Sequence, residues 1–154
     1  MAETIRRAQL ADKAELAKLR ALLWPEINPT DNLAEIGHFF TASTSNALPT
    51  TVFVSQHDSG ELTGFIEVGL RSHADGCDTA RPVGFIEGWF VCESSRNQGI
   101  GKQLMRSAED WARAHGCAEM ASDALIDNLR SQRAHEAAGF EIVDRCVHFR
   151  KRLR

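Results

Sequence analysis

The chain has 154 residues, 43% hydrophobic and 25% charged, a length and balance that suit one domain, residues 1–154, with a core that needs neither disulfides nor metal. With 18 Lys and Arg against 21 Asp and Glu the formal charge is -3, so no global basic field is present to hold nucleic acid phosphates. Cys77, Cys92, Cys117 and Cys146 lie far apart with no C-x-x-C pair, and the histidines show neither H-x-x-x-H nor H-E-x-x-H spacing, so no metal is expected. Reduced thiols, and an N-terminal stretch from Met1 to Leu10 with charges and no apolar run, predict a cytoplasmic protein with no secretory signal or membrane anchor. Arg6-Arg7 and the cluster Arg150, Lys151, Arg152 and Arg154 read as solvated ends.

In chain order, residues 4–8 read as a short strand, and residues 12–24 repeat apolar positions at helical spacing until Pro25 ends the helix. Asn28 to Asp31 form a turn and cap before a second helix through Leu33, Ile36, Phe39 and Phe40. Residues 52–54 and 62–70, joined by the turn-like His57-Asp58-Ser59-Gly60, predict an antiparallel hairpin. A polar loop leads to residues 83–92, VGFIEGWFVC, a nearly continuous apolar strand broken by Glu87 and Gly88. A glycine inside such a strand suggests a bulge or a close backbone approach, and a carboxylate there needs a buried partner or a functional reason. A long amphipathic helix over 101–115, a strand over 117–122, a helix over 128–138 and strands over 140–143 and 146–151 complete the chain. The order β-α-α-β-β-β-α-β-α-β-β is a mixed α/β layout, a central sheet flanked by helices.

Arg96-Asn97-Gln98-Gly99-Ile100-Gly101 sits between the buried strand and the long helix. Glycines there allow first-turn amides and the positive helix end to face an anion, with Arg96 and Lys102 adding charge, although a G-x-G can equally serve tight turning. Neither the Walker spacing nor the Rossmann glycine pattern is present, which disfavours ATP and NAD. The turn resembles the R/Q-x-x-G-x-G/A signature of GNAT acetyltransferases, where it cradles the coenzyme A pyrophosphate. Asn128, Ser131, His135, Gly139 and Phe140 stand at the spacing of that family's N-x-x-A-x-x-x-Y-x-x-x-G-F segment, with His135 in place of tyrosine. The resemblance covers nearly the whole chain and implies acetyl-coenzyme A as cosubstrate, held by Arg96, Asn97, Gln98, Gly99, Ile100, Gly101, Lys102, Asn128 and His135. It also implies a splayed strand whose Trp89, Phe90 and Val91 meet the pantetheine and thioester.

A narrower similarity lies in LRALLWP (residues 19–25), VGFIEGWFV (83–91), EMASD (119–123), AHEAAGF (134–140) and DRCVHFRK (144–151). Together they look like the aminoglycoside 6'-N-acetyltransferases, which acetylate the 6'-amino group of polycationic antibiotics and confer resistance. The resemblance places Trp24, His73, Glu87, Asp123 and Asp144 against the aminoglycoside and makes Glu87 and Asp123 the candidates to take the amine's proton. It implies a homodimer as well, with terminal strands or sheet edges meeting across a two-fold axis. The chain has no tyrosine to serve as general acid; His135 holds that motif position, and Phe149 stands where relatives often carry one. A metabolite amine as acceptor, or a noncatalytic acyl-coenzyme A binder, are the alternative expectations.

Overall fold

In the computed structural model, which describes residues 2–41 and 48–154, the elements are β1 (Glu3–Arg7), α1 (Lys13–Leu23), α2 (Pro29–His38), β2 (Thr50–His57), β3 (Leu62–Arg71), β4 (Val83–Val91), α3 (Ile100–Ala114), β5 (Met120–Ser122) and α4 (Leu129–Ala137). Local chemistry sets the boundaries. The Asn28 side chain accepts from the backbone N–H groups of Thr30 and Asp31 and, with Pro29 at the first helical position, starts α2. Gly60, at φ +91°, closes the β2–β3 hairpin, and Gly116, at φ +85°, follows the end of α3.

The sheet order is β1-β2-β3-β4-β5, antiparallel as far as β4 and parallel between β4 and β5, because α3 carries the chain back across the sheet. One face packs Ile66, Val68 and Ile86 against the apolar stripe of α3, which includes Ile100, Leu104, Met105 and Ala108. The other packs Val52, Val54 and Phe65 against Leu16, Leu19 and Ile36 of α1 and α2.

The β3–β4 register is broken once. Glu67 lies opposite Gly88 and the next residue, Val68, opposite Ile86, so Glu87 is an extra residue on β4. The alternation of faces reverses there: Ile86 packs toward α3, whereas Gly88 lies against the Trp24 indole on the α1 side.

The two strands expected at 140–143 and 146–151 do not form in this chain, and the element order ends at α4. Among the described residues the last backbone hydrogen bond is donated by Phe140 to the His135 carbonyl, and no further one ties residues 141–154 to the rest. A segment becomes a strand only when a neighbour takes its N–H and C=O groups, and the described residues offer this arm no such neighbour. Its apolar side chains remain in water, with Val147 70% and Phe149 93% exposed.

Candidate active site

At the turn before α3 the sequence forces an open backbone. Asn97 and Gly99 both take positive φ, +63° and +80°. No side chain caps the helix, and Gln103 is the first residue to donate a backbone hydrogen bond, to the Gly99 carbonyl at 3.1 Å. The amides of 98–102 therefore have no hydrogen-bond partner among the described residues, and no acidic residue stands in the first turn. A Cβ on Gly99 would meet nothing within 4 Å, so the space in front of these amides is clear. Oriented N–H groups at the positive end of a helix dipole are what a pyrophosphate needs.

The turn is braced from below. Trp89 Nε1 donates to the Gly101 carbonyl at 3.1 Å, and Arg96 Nε donates to the Val91 carbonyl at 2.8 Å, its guanidinium 5.7 Å from the Phe90 ring. Arg96 thus straps the turn to β4 as well as adding charge. The buried Ile100 side chain anchors the first helical turn, while Lys102 points to solvent beside it.

β4 and β5 part beyond Ile86. Their pairing stops at Ile86 and Ser122, while β4 continues to Val91 with β3 alone as its neighbour. The Val91 and Trp89 side chains pack with α3, and Phe90 with the α1 cluster, so it is the free backbone edge of β4 that faces the gap. A pantetheine chain laid there can add hydrogen bonds as a strand would.

Glu87 and Asp123 each follow the last paired residue of their strand, which sets both acids at the mouth of the gap. Glu87, expected to interrupt a buried strand, is instead turned outward by the bulge; its side chain is 43% exposed. It accepts from Arg71 at 2.8 Å, and the Arg71 guanidinium lies 3.4 Å from the Phe85 ring centroid. Asp123 is exposed. Trp24, at the end of α1, fills the place a side chain on Gly88 would occupy: a Cβ there would come within 2.6 Å of the indole.

Other expected residues lie apart or are otherwise engaged. Asn128 Oδ1 accepts from the Ser131 amide and caps α4. His135 is held between Ser122 Oγ at 2.8 Å and the Ser131 carbonyl at 2.7 Å, its ring edge-on to Trp89 and Phe140. Both ring nitrogens are thereby taken up inside the chain. His73 sits exposed in the β3–β4 loop beside Ser72. Asp144 and Phe149 are on this arm, and among the described residues Asp144 accepts only from the neighbouring Arg145 amide. Burial, with Glu61 adding to it, pushes the Cys92 thiol upward, the wrong direction for a nucleophile.

The buried acid is Glu67, 4% exposed, directly across from Gly88. Its Oε1 lies 3.1 Å from Nε of the equally buried Arg20. The approach is too poorly aligned for a hydrogen bond, and both atoms lack a partner. Arg20 also binds Glu35 of α2 and lies 5.0 Å from the Trp24 ring centroid. Burial pushes the Glu67 carboxyl up to about 7; Arg20 opposes this, and the charges of Glu35 and Glu87 reinforce it. Its signal in the sequence is one acid inside the apolar run 62–70, with the cation Arg20 in the first helix.

Among the described residues no group of three or more His, Cys, Asp or Glu side chains is placed to hold a metal ion. No helix among them is long and apolar enough to cross a membrane.

Residues 14–140 match the acetyltransferase (GNAT) family model. The chain is 38% identical over 97% of its length to an aminoglycoside N(6')-acetyltransferase type 1 of Klebsiella aerogenes, covering 96% of that protein. It is 40% identical to one of Stenotrophomonas maltophilia, with 99% and 95% covered. Among solved structures, the aminoglycoside acetyltransferase AAC(6')-Iy in complex with the bisubstrate analog CoA-S-monomethyl-acetylneamine superposes with a TM-score of 0.88 at 34% identity, covering 99% of this chain and all of that one.

Proposed function

The chain belongs to the GNAT acetyltransferase family, and on that premise we propose that it transfers an acetyl group from acetyl-coenzyme A to the 6'-amino group of an aminoglycoside. The observation that carries this reading is the unpartnered run of amides at 98–102 beside a strand gap whose mouth bears Glu87 and Asp123. The turn takes the pyrophosphate and the free edge of β4 takes the pantetheine, which points the thioester at the acids.

The acceptor is a polycation, drawn by Glu87 and Asp123, and its ammonium must lose a proton before it can attack. One of these acids accepts that proton, directly or through water. The neutral nitrogen then adds to the thioester carbonyl, the C–N bond forms, the nitrogen loses its second proton to water, and backbone N–H groups at the gap hold the oxyanion. As the C–S bond breaks, the thiolate takes its proton from water, since the chain has no tyrosine and His135 is tied to Ser122 and Ser131. Antibiotic resistance is the biological role this chemistry serves, and the free thiols suit a cytoplasmic setting.

The acceptor side is completed by a second copy. Residues 141–154 make no backbone hydrogen bond to the other described residues and expose Val147, Phe149 and Leu153, and β5 is an edge strand with one side open. An arm seated on the partner's sheet would bury Val147 and Phe149 and bring Asp144 into a site it does not reach alone.

The test is thiol release from acetyl-coenzyme A with kanamycin or tobramycin. Acetylation at the 6' position supports the assignment. A chain that turns over none of several 6'-amino aminoglycosides acts on another amine.

A further inference from the structure

Two acid–arginine pairs flank the bulge of β4, and they differ in kind. Glu87 and Arg71 are both nearly half exposed, and water can replace either partner. Glu67 and Arg20 are 5% and 4% exposed at their side chains, with Arg20 Nε, Arg20 Nη1 and Glu67 Oε1 left without partners. Such atoms are costly to bury, and a site that retains them holds an unspent charge interaction.

The charge count is unbalanced. Arg20 of α1 is shared between Glu67 of β3 and Glu35 of α2, and Glu87 of β4 adds a third carboxylate within electrostatic reach. Arg71 answers Glu87, which leaves Arg20 alone to two carboxylates, and the more buried of these holds its proton more tightly. A cation arriving at the bulge relieves the excess.

We propose that Arg20 and Glu67 form a positioning pair for the acceptor side, in which the buried Glu67 carboxyl releases its proton to solvent when a polycationic substrate settles beside the bulge. The O–H bond of the carboxyl breaks, the electron pair stays on Glu67, and the proton leaves to bulk water. The resulting carboxylate draws the Arg20 guanidinium toward it. Since that guanidinium lies over Trp24, and Trp24 fills the space above Gly88, the change reaches the wall against which the sugar rests. Near neutrality, where Glu67 is poised, the coupling is reciprocal: substrate favours the ionised acid, and the ionised acid favours substrate.

The inference rests on the proposed aminoglycoside reading, and the experiment separates the two. Kanamycin is titrated into the full-length protein by calorimetry in buffers of different ionisation enthalpy, at several pH values around 7, to count the protons exchanged. The unaltered protein is expected to release close to one more proton than Glu67→Gln below pH 7, with the excess vanishing above pH 8. Glu67→Asp is expected to restore part of it. Glu35→Gln, at a half-exposed position, lightens the negative charge around Arg20 and is expected to move the release to lower pH; this variant carries the test should Glu67→Gln fail to fold. In turnover assays, Glu67→Gln is expected to lose the pH dependence of the kanamycin KM around neutrality while the acetyl-coenzyme A KM stays within twofold. Equal proton counts in the unaltered protein and Glu67→Gln, or an unmoved profile in Glu35→Gln, overturn the proposal. Absence of kanamycin binding in every form overturns the substrate reading instead.

Discussion

The two halves of the proposed site, donor and acceptor, are built differently. The donor half is finished within one chain: the turn at 96–102 is strapped by Arg96, propped by Trp89 and anchored by Ile100, and its amides are oriented before any ligand arrives. The acceptor half is unfinished. Glu87 is paired with Arg71, Asp123 stands in water, and Asp144 lies on an arm that no backbone hydrogen bond ties to the other described residues. Recognition of a constant group suits a rigid cradle, while recognition of varied polyamines suits exposed acids that can be rearranged.

The sharpest way to break this division is at the acids. Glu87→Gln and Asp123→Asn are expected to lower kcat/KM for the aminoglycoside by about 10²–10⁴-fold, the usual scale for losing a general base. Calorimetric affinity for acetyl-coenzyme A should stay as it was; an equal loss in that affinity would merge the two halves.

A second effect sits beneath the acceptor side. The unfolded Glu67 carboxyl titrates near 4.5 and the folded one at about 7, so between these values unfolding releases a proton that folding retains. Stability is therefore fully present below pH 4.5, falls as pH rises to 7 and levels off above, by on the order of 3 kcal/mol. Denaturant titrations of Glu67→Gln should show this slope flattened, and an unchanged slope would remove the titration from Glu67.

On the donor side, Gly99→Val forces a β-branched residue to φ +80°, at about 1–2 kcal/mol of strain, and the turn relaxes out of position. Acetyl-coenzyme A should bind roughly tenfold more weakly, and an unaltered dissociation constant would contradict the cradle. Lys102→Ala, removing one exposed charge, should cost about 0.3–1 kcal/mol of the same affinity and respond to added salt.

The donor half was legible in the sequence because its causes are local. Two glycines between an apolar strand and an amphipathic helix dictate the turn, and Gly88 signalled the irregularity in β4. What the residues could not convey was parity: the inserted residue is Glu87, so the acid read as buried is exposed and the acid hidden in the neighbouring strand is Glu67. Which of two acids lies inside depends on register between strands, and register is tertiary. The strands expected in the arm did not form for a related reason, since apolar and β-branched residues make a strand only where a neighbour takes their backbone groups, and the described residues offer none.

The bulge also limits how such a protein can drift under selection. Because Glu87 is the one surplus residue, deleting it would leave a regular alternation in which Ile86 and Trp89 still face α3, so the packing of β4 would survive while the outward carboxylate at its bulge was lost. A change of length at this point would therefore cost the chain its acid before it cost the sheet its packing.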